Sequence, residues 1–330
     1  MRRRIDSTLA GLDPAAGLSD EPGTADRAAT LRAILATPRD ATRRTPGRPR
    51  RRLVLAGAGL AAAAAASAAV GLRGEPQPAY AATPPPLRYE RPAGGRSTGE
   101  LLRAIATAAA GSPVRGVGDY GYIHLQQWTL ANPSMAPRGA YLTVDPSELW
   151  LWYRRADGSG RTVVADALGR RESRLDPGSF NRIGPGDLRD ALLVSGRTQM
   201  FDVTGESSPL GGYAQLGHDQ VPAPGLRAEA LRLLAELPGL QYTGRVRDRA
   251  GRTGAAFSLD FDARTGPVRD TVIVDAATGE LLGFERMLLA LRDPRFLEEL
   301  TPGWAPLRVR TPAVVAYTVF LEAALRGNDS

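Results

Sequence analysis

The chain contains no cysteine and no lysine, and it contains only two histidines. Without cysteine it forms no disulfide, no thiolate nucleophile and no cysteine-ligated metal site. Without lysine it forms no Schiff base and uses no serine–lysine pair. All 42 of its basic residues are therefore arginine. These absences exclude several large classes of enzyme, and they leave the folded part of the chain dependent on its hydrophobic core.

The motif-like patterns that remain do not complete a catalytic or metal site. Residues 116–121 (GVGDYG) have the spacing of a dinucleotide-binding loop, but they follow a predicted helix and enter a predicted strand, the reverse of the required order. Asp260 and Asp262 begin a calcium-loop spacing that lacks its glycine and final glutamate. His124 and His218 are far apart, and no GxSxG sequence occurs. We predict no catalytic residue, no cofactor and no metal, and expect a protein that is not an enzyme.

Positive charge is concentrated before residue 53. Residues 1–52 contain 12 Arg and 6 acidic residues, a net charge of +6, whereas residues 73–330 contain 30 Arg and 29 acidic residues, a net charge of +1. The excess charge is thus local and adjoins an apolar segment. This pattern indicates the anionic surface of a membrane as its partner, and not nucleic acid.

That apolar segment is residues 53–72 (LVLAGAGLAAAAAASAAVGL), twenty residues without a charge. As a helix it is about 30 Å long, which matches the hydrocarbon thickness of a bilayer. The six arginines that precede it predict a cytoplasmic N-terminus and an extracytoplasmic C-terminal region; they are Arg43, Arg44, Arg48, Arg50, Arg51 and Arg52. The alternative is a cleaved export signal ending at Ala79-Tyr80-Ala81. The long preceding tail favours an uncleaved single-pass anchor in the cell membrane.

The rest of the chain divides at this predicted transmembrane helix. Residues 1–52 are predicted to be a mostly disordered cytoplasmic tail with one short helix at 24–37, which Thr24 caps and Pro38 ends. One face of that helix is apolar and is a candidate contact for a cytoplasmic regulator; it carries Ala28, Leu31, Ile34 and Leu35. Residues 73–96 are predicted to be a proline-rich linker.

Residues 97–330 are predicted to form an extracytoplasmic α+β domain. A capping box at Ser97–Glu100 begins a helix that ends at Gly111, and further helices are predicted at 186–195 and 225–237. Strands are predicted at 120–128, 148–155 and 161–167, and residues 240–290 alternate with turn signals as an antiparallel meander. Residues 313–325 fit a last strand, with a helix as the alternative. We expect a large antiparallel sheet, open and half-barrel-like, with covering helices.

Three tryptophans in the first half of this domain are candidate ligand-groove aromatics: Trp128, Trp150 and Trp152. Alternation places Trp150 and Trp152 on one face of a strand, with Leu149, Leu151 and Tyr153 on the other. A strand with two apolar faces must be shielded from water on both sides, by other parts of the protein or by a ligand. Core packing is the ordinary explanation, and a groove for lipid or peptide is the alternative.

The chain resembles a family of actinobacterial single-pass membrane proteins. The resemblance runs nearly end to end and rests on these segments: LDPAAGL with RAATLRAILATP (12–18 and 27–38), the arginine cluster before an alanine-rich anchor, ELLRAIATAA (100–109), LLAELPGLQYTGRVRDRAGRTGAAFSLD (233–260) and TVIVDAATGELLGFE (271–285). Genes of this family often lie near those of extracytoplasmic-function sigma factors, which implies signalling. The zinc-binding HxxxCxxC pattern of many anti-sigma factors is absent here. A more distant similarity, in shape alone, is to the half-barrels of lipoprotein carriers and envelope-stress sensors.

Two functional hypotheses follow from these observations. The first is a membrane-anchored extracytoplasmic protein that binds a ligand or partner and acts as a sensor or regulator linked to a sigma factor. The second is a carrier or binder of lipids or lipoproteins at the cell surface.

Overall fold

The computed structural model describes residues 81–90, 94–130, 146–166, 169–179, 182–193, 208–293 and 308–328. The predicted cytoplasmic tail 1–52, with its helix 24–37, and the predicted transmembrane helix 53–72 lie outside these residues. Within the described ranges, no helix is both long enough and apolar enough to cross a bilayer.

Eleven strands in the described part of the chain join into one sheet. They are β1 (Tyr89–Glu90), β2 (Arg115–Gly116), β3 (Tyr120–Thr129), β4 (Ser147–Arg154), β5 (Gly160–Asp166), β6 (Gly169–Leu175), β7 (Gln241–Arg247), β8 (Thr253–Ala263), β9 (Gly266–Val274), β10 (Leu281–Leu288) and β11 (Ala313–Arg326). The order across the sheet is β1-β7-β8-β9-β10-β11-β3-β4-β5-β6, and every neighbouring pair in it is antiparallel. The short β2 pairs in parallel with the end of β11. The prediction of a large antiparallel sheet with helices is confirmed.

The four helices described are α1 (Thr98–Gly111), α2 (Leu188–Leu193), α3 (Pro209–Asp219) and α4 (Pro224–Leu234). The capping box that begins α1 is present as predicted: the Ser97 hydroxyl accepts the Glu100 amide, and the Glu100 carboxylate accepts the Ser97 amide at 2.8 Å. The sequence analysis missed α3, whose three glycines lower its intrinsic helix propensity. Burial of Leu210, Tyr213 and Leu216 holds it in place instead.

The main core lies between these helices and one face of the sheet. Leu102 and Ile105 of α1 and Leu231 and Leu234 of α4 belong to one buried cluster with strand residues such as Phe257. Each strand presents every second side chain to this layer, as the pleat requires. The chain has no disulfide, so burial of these apolar side chains is the main source of the stability of the folded domain.

The last segment, residues 313–325, is a strand, and the helical alternative is wrong. Strand β11 lies in the middle of the sheet, because it pairs with β10 on one side and with β3 on the other. Its first eight residues, Ala313–Phe320, are all buried. A strand covered on both faces reads as a continuous apolar run, so its sequence did not distinguish it from a buried helix.

Part of the predicted linker belongs to the folded body. Residues 81–90 lie against the sheet on the face away from the helices, where Leu87 and Tyr89 pack on a buried cluster with Val246 and Ile273. We call residues 81–90 the strap. The Ala81 amide donates to the Arg308 carbonyl at 2.8 Å, and Tyr89–Glu90 form β1 at the sheet edge.

The strap also covers a buried ion pair. Arg249 donates one bond to the Pro85 carbonyl at 3.0 Å and another to the Glu285 carboxylate, whose side chain is almost fully buried. Burial raises the pKa of Glu285, and Arg249 opposes that shift. Burial also raises the pKa of Tyr89 to about 12, with the charge of Glu285 as a second cause.

Replacing Tyr89 with Phe should weaken the loss of stability at high pH. Between pH 10 and 12 the unfolded chain releases the Tyr89 proton while the folded chain keeps it, so the free energy of unfolding falls as the pH rises. Urea unfolding followed by tryptophan fluorescence should show Tyr89→Phe losing about 1 kcal/mol less than the wild type between pH 9 and 11. The control Tyr242→Phe keeps Tyr89 and should match the wild type. If Tyr89→Phe and the wild type lose the same free energy of unfolding between pH 9 and 11, the raised pKa of Tyr89 would be contradicted.

Candidate functional site

Strands β3 to β6 have one face turned toward the helices and one face that carries no helix among the described residues. Leu151 and Tyr153 of β4 belong to the core cluster under the helices, whereas Trp150 and Trp152 join a separate cluster with Tyr122 and Val163. The alternation predicted for this strand is confirmed. The tryptophans therefore lie on the helix-free face of the sheet.

Their neighbours across the strands are other aromatic rings. The His124 and Trp150 rings stack at 4.9 Å with an interplanar angle of 15°, and the Tyr122 and Trp152 rings contact each other at 5.2 Å with an angle of 49°. Both contacts follow from the register of β3 and β4, in which His124 lies opposite Trp150 and Tyr122 opposite Trp152. Burial raises the pKa of the Tyr122 hydroxyl.

Arginines cover these rings where helices do not. The Arg161 guanidinium lies 4.1 Å from the centre of the Trp152 ring, and that of Arg170 lies 5.0 Å from the Trp150 ring. The Arg326 guanidinium lies 3.5 Å from the Tyr122 ring. Each such cation–π contact contributes roughly 0.5–2 kcal/mol, depending on how far it is desolvated. Guanidinium groups thus perform the covering role that sequence reasoning assigned to helices or to a ligand.

We define the aromatic–arginine face by eight of the side chains on this surface of β3–β6: Tyr120, Tyr122, Trp150, Trp152, Arg154, Arg161, Arg170 and Arg174. His124, Glu148 and Glu172 lie on the same surface. The sequence analysis found its tryptophans and missed its arginines. The spacing of Arg170, Glu172 and Arg174 could have predicted them, because residues two apart on a strand such as β6 lie on the same face.

The charge of this face is only partly neutralised. Arg161 pairs with Glu172 at 3.4 Å. No carboxylate in the described ranges lies within ion-pair distance of Arg154, Arg170 or Arg174. Arg154 instead donates to the Tyr120 hydroxyl at 3.2 Å. The face therefore has an excess of positive charge beside its aromatic rings.

A groove opens at one end of the aromatic–arginine face. Its volume is about 600 Å³, within the usual size range of ligand sites. Its walls are mainly polar and include Tyr120, Arg161, Glu172, Arg174 and Asp176. Of the three face arginines without a described carboxylate partner, only Arg174 lines the groove. An anionic group entering it would meet this guanidinium and that of Arg161, but also the carboxylates of Glu172 and Asp176.

The other candidate residues do not join this site. Trp128 stacks on Tyr317 at 6.1 Å and belongs to a second core cluster at the far end of β3. Its role is therefore packing, the ordinary explanation given above. The candidate regulator-contact residues Ala28, Leu31, Ile34 and Leu35 and the arginine cluster 43–52 lie outside the described residues.

A charged group is also fully buried in the helix-side core. Arg286 donates two hydrogen bonds, each 2.7 Å, to the Asp270 carboxylate, and neither side chain is exposed. Ser208, the N-cap of α3, donates its hydroxyl to the same carboxylate. This network fixes the start of α3 to strands β9 and β10.

The described ranges contain no group of three or more histidine, aspartate and glutamate side chains arranged to hold a metal ion. His124 contacts the Glu148 carboxylate at 3.0 Å, and His218 contacts its neighbour Asp219 at 2.9 Å.

No protein-family model matches the chain, and no curated protein matches it in sequence. The resemblance to actinobacterial membrane proteins therefore stays a prediction, and the site must be interpreted from its own geometry.

Proposed function

We propose that this chain is a membrane-anchored binding protein whose folded domain lies outside the cytoplasm and binds an acidic partner protein through the aromatic–arginine face. The observation that carries the proposal is the set of guanidinium groups lying over Trp150, Trp152 and Tyr122 on a helix-free face of the sheet. Tryptophan, tyrosine and arginine are the residues that contribute most to binding energy in protein interfaces.

The charge of the face indicates the chemistry of the partner. Arg154, Arg170 and Arg174 have no carboxylate partner in the part of the chain that the structure describes, and Arg174 also lines the adjoining groove. A partner carboxylate can accept two hydrogen bonds from one guanidinium, which favours an acidic segment over an apolar one. Binding through such a face should be fast and sensitive to salt.

The membrane and a cytoplasmic regulator complete the proposal. The arginine cluster before residue 53 contacts the lipid surface, and the apolar face of helix 24–37 contacts a regulator such as a sigma factor. Binding outside the cytoplasm would then be coupled to a response inside it. These parts rest on the sequence and on the resemblance described above.

Acidic peptide should bind the full-length protein, and loss of two face arginines should weaken this binding about tenfold. The protein in nanodiscs of zwitterionic lipid is titrated with a deca-glutamate peptide while tryptophan emission is followed. Two of the four tryptophans of the chain, Trp150 and Trp152, lie on this face, so peptide bound there should change the emission. Residues 1–73 contain no tryptophan, so peptide held by the arginine cluster should change it little. Arg161→Gln/Arg170→Gln should raise the dissociation constant, and so should an increase from 50 to 300 mM NaCl.

The matched control removes two arginines elsewhere on the surface. Arg232→Gln/Arg247→Gln changes exposed arginines on α4 and β7 and should bind as the wild type does. Equal affinities for all three chains, or an affinity that salt does not change, would contradict the proposal.

A second candidate function is the lipid or lipoprotein carrier. It rests on the likeness in shape to half-barrel carriers noted above, and its site would be the apolar layer between the helices and the sheet. The cleft in this layer has a volume of only about 50 Å³, far below the usual size of a ligand site. A carrier role would therefore require α3 to move away from the sheet, which makes this the second choice.

A further inference from the structure

The cleft between α3 and strands β10 and β11 is lined in part by a buried arginine side chain. Most of its lining is apolar and includes Leu216, Leu281 and Phe320. The other charged residues that line it have ion-pair partners: Glu280 with Arg115, Glu322 with Arg326, and Arg252 with Asp248. The Arg227 side chain also lines it, although this residue is 5 % exposed. A guanidinium remains charged at any physiological pH, so a cation is held here next to hydrocarbon.

The hydrogen bonds of Arg227 do not neutralise its charge. Its Nη2 donates to two main-chain carbonyls at the end of α1, Ser112 at 2.7 Å and Ala109 at 3.3 Å. Its Nε is buried and has no acceptor. None of the described carboxylates forms an ion pair with it. A buried guanidinium with an unused donor is costly unless an anion joins it.

The start of α4 adds a second source of positive potential at the same place. Pro222 and Val221 line the cleft immediately before this helix, which begins at Pro224. No side chain caps the first turn of α4, and Arg227 lies in that turn. A cation is unfavourable at the positive end of a helix dipole, whereas an anion there is favourable.

We infer that this cleft is an anion site for the carboxylate or phosphate head of an amphiphile, with Arg227 as the buried cation and Leu216, Leu281 and Phe320 as the apolar floor. The head group would accept a hydrogen bond from the part of the Arg227 guanidinium that lines the cleft. A volume of about 50 Å³ accommodates a few water-sized groups, enough for a head group but not for a long chain. The remainder of the ligand would leave by the mouth, where Arg115 of β2 pairs with Glu280 at 3.0 Å.

This site is independent of the proposed partner surface, because none of its lining residues belongs to the aromatic–arginine face. A failure here would leave the acidic-peptide result unaffected, and the reverse also holds.

The test uses the full-length protein in nanodiscs with three small probes: hexanoate, inorganic phosphate and 1-hexanol. Each probe is titrated while the thermal unfolding midpoint is followed, and the apparent dissociation constant is taken from its concentration dependence. Hexanoate should bind saturably and more tightly than hexanol by about tenfold, since only hexanoate can pair with the guanidinium. Phosphate binding as tightly as hexanoate would identify free phosphate, and not an amphiphile, as the source of the anion.

Two variants assign the binding to this cleft. Arg227→Gln should raise the dissociation constant of hexanoate at least tenfold, whereas Arg232→Gln, an exposed change on the same helix, should not alter it. Since Arg227 also holds the end of α1, its loss could act through folding. Leu281→Trp therefore fills the cleft while keeping every bond of Arg227, and it should abolish hexanoate binding. No binding by the wild type, equal binding of hexanol, or unchanged binding in both cleft variants would overturn the assignment.

Discussion

Replacing Asp270 with Asn should lower the free energy of unfolding by about 3–5 kcal/mol. The Asn side chain has the size of the original but not its charge. It takes the Asp270 carboxylate charge away from the Arg286 guanidinium, which has no exposure to water. The Ser208 hydroxyl loses the same acceptor, so the start of α3 is weakened as well. Urea unfolding followed by tryptophan fluorescence measures the loss.

Two further variants separate charge burial from a general sensitivity of the sheet. Asp260→Asn breaks the neighbouring ion pair with Arg269, which joins β8 to β9 at 2.6 Å but is exposed on both sides. That change should cost less than about 1 kcal/mol. Asp270→Leu/Arg286→Met removes both buried charges and should lose less stability than Asp270→Asn, although the Ser208 bond and the other contacts of Arg286 are lost with it. A loss from Asp270→Asn no larger than that from Asp260→Asn would contradict this account.

The position of this ion pair shows what sequence reasoning lacked. Strands β9 and β10 and the turn between them were predicted, so the two residues were known to lie on adjacent strands. Their pairing depends on the register, and the register shifts between Leu281 and Gly283. A shift of one residue moves a side chain to the other face of the sheet. Arg286 therefore could not be matched to Asp270 from alternation alone.

In the candidate site, the tryptophans could be predicted from the sequence, whereas their contacts with the arginines that cover them could not. Trp150 and Trp152 were placed on one face because both lie on one strand, where the period of two is enough. Their covering arginines come from β5, β6 and β11, and β11 reaches β3 across a long stretch of chain. Such contacts depend on strand order, which no local pattern in this sequence specifies. The missed helix α3 has the opposite cause, since tertiary burial there outweighs three glycines.

Replacing the arginine cluster should reverse the orientation of the protein in the membrane. In the wild type, the six arginines at 43–52 should keep the N-terminal flank of the span in the cytoplasm. Protease added to intact spheroplasts should therefore digest the C-terminal domain and leave an epitope ahead of Met1 intact. With all six changed to Gln, Arg39 is the only arginine left within about twenty residues before the span, whereas Arg73, Arg88 and Arg91 follow it on the other side. Most molecules should then protect the domain and expose the epitope.

The control for this experiment changes arginines that lie far from the span. Arg2, Arg3 and Arg4 are beyond the distance over which flanking charge sets orientation, so changing them to Gln should leave the digestion pattern as it is. A wild type that already protects its C-terminal domain would contradict the proposed topology.

The mass of the mature chain tests the anchor itself, since a start at Ala82 would show cleavage after Ala81. Such cleavage would keep Leu87 and Tyr89 and with them the packing of the strap, so the fold and its binding face would survive release from the membrane. The anchor and the binding face are thus separable properties of the chain, and each can fail without the other.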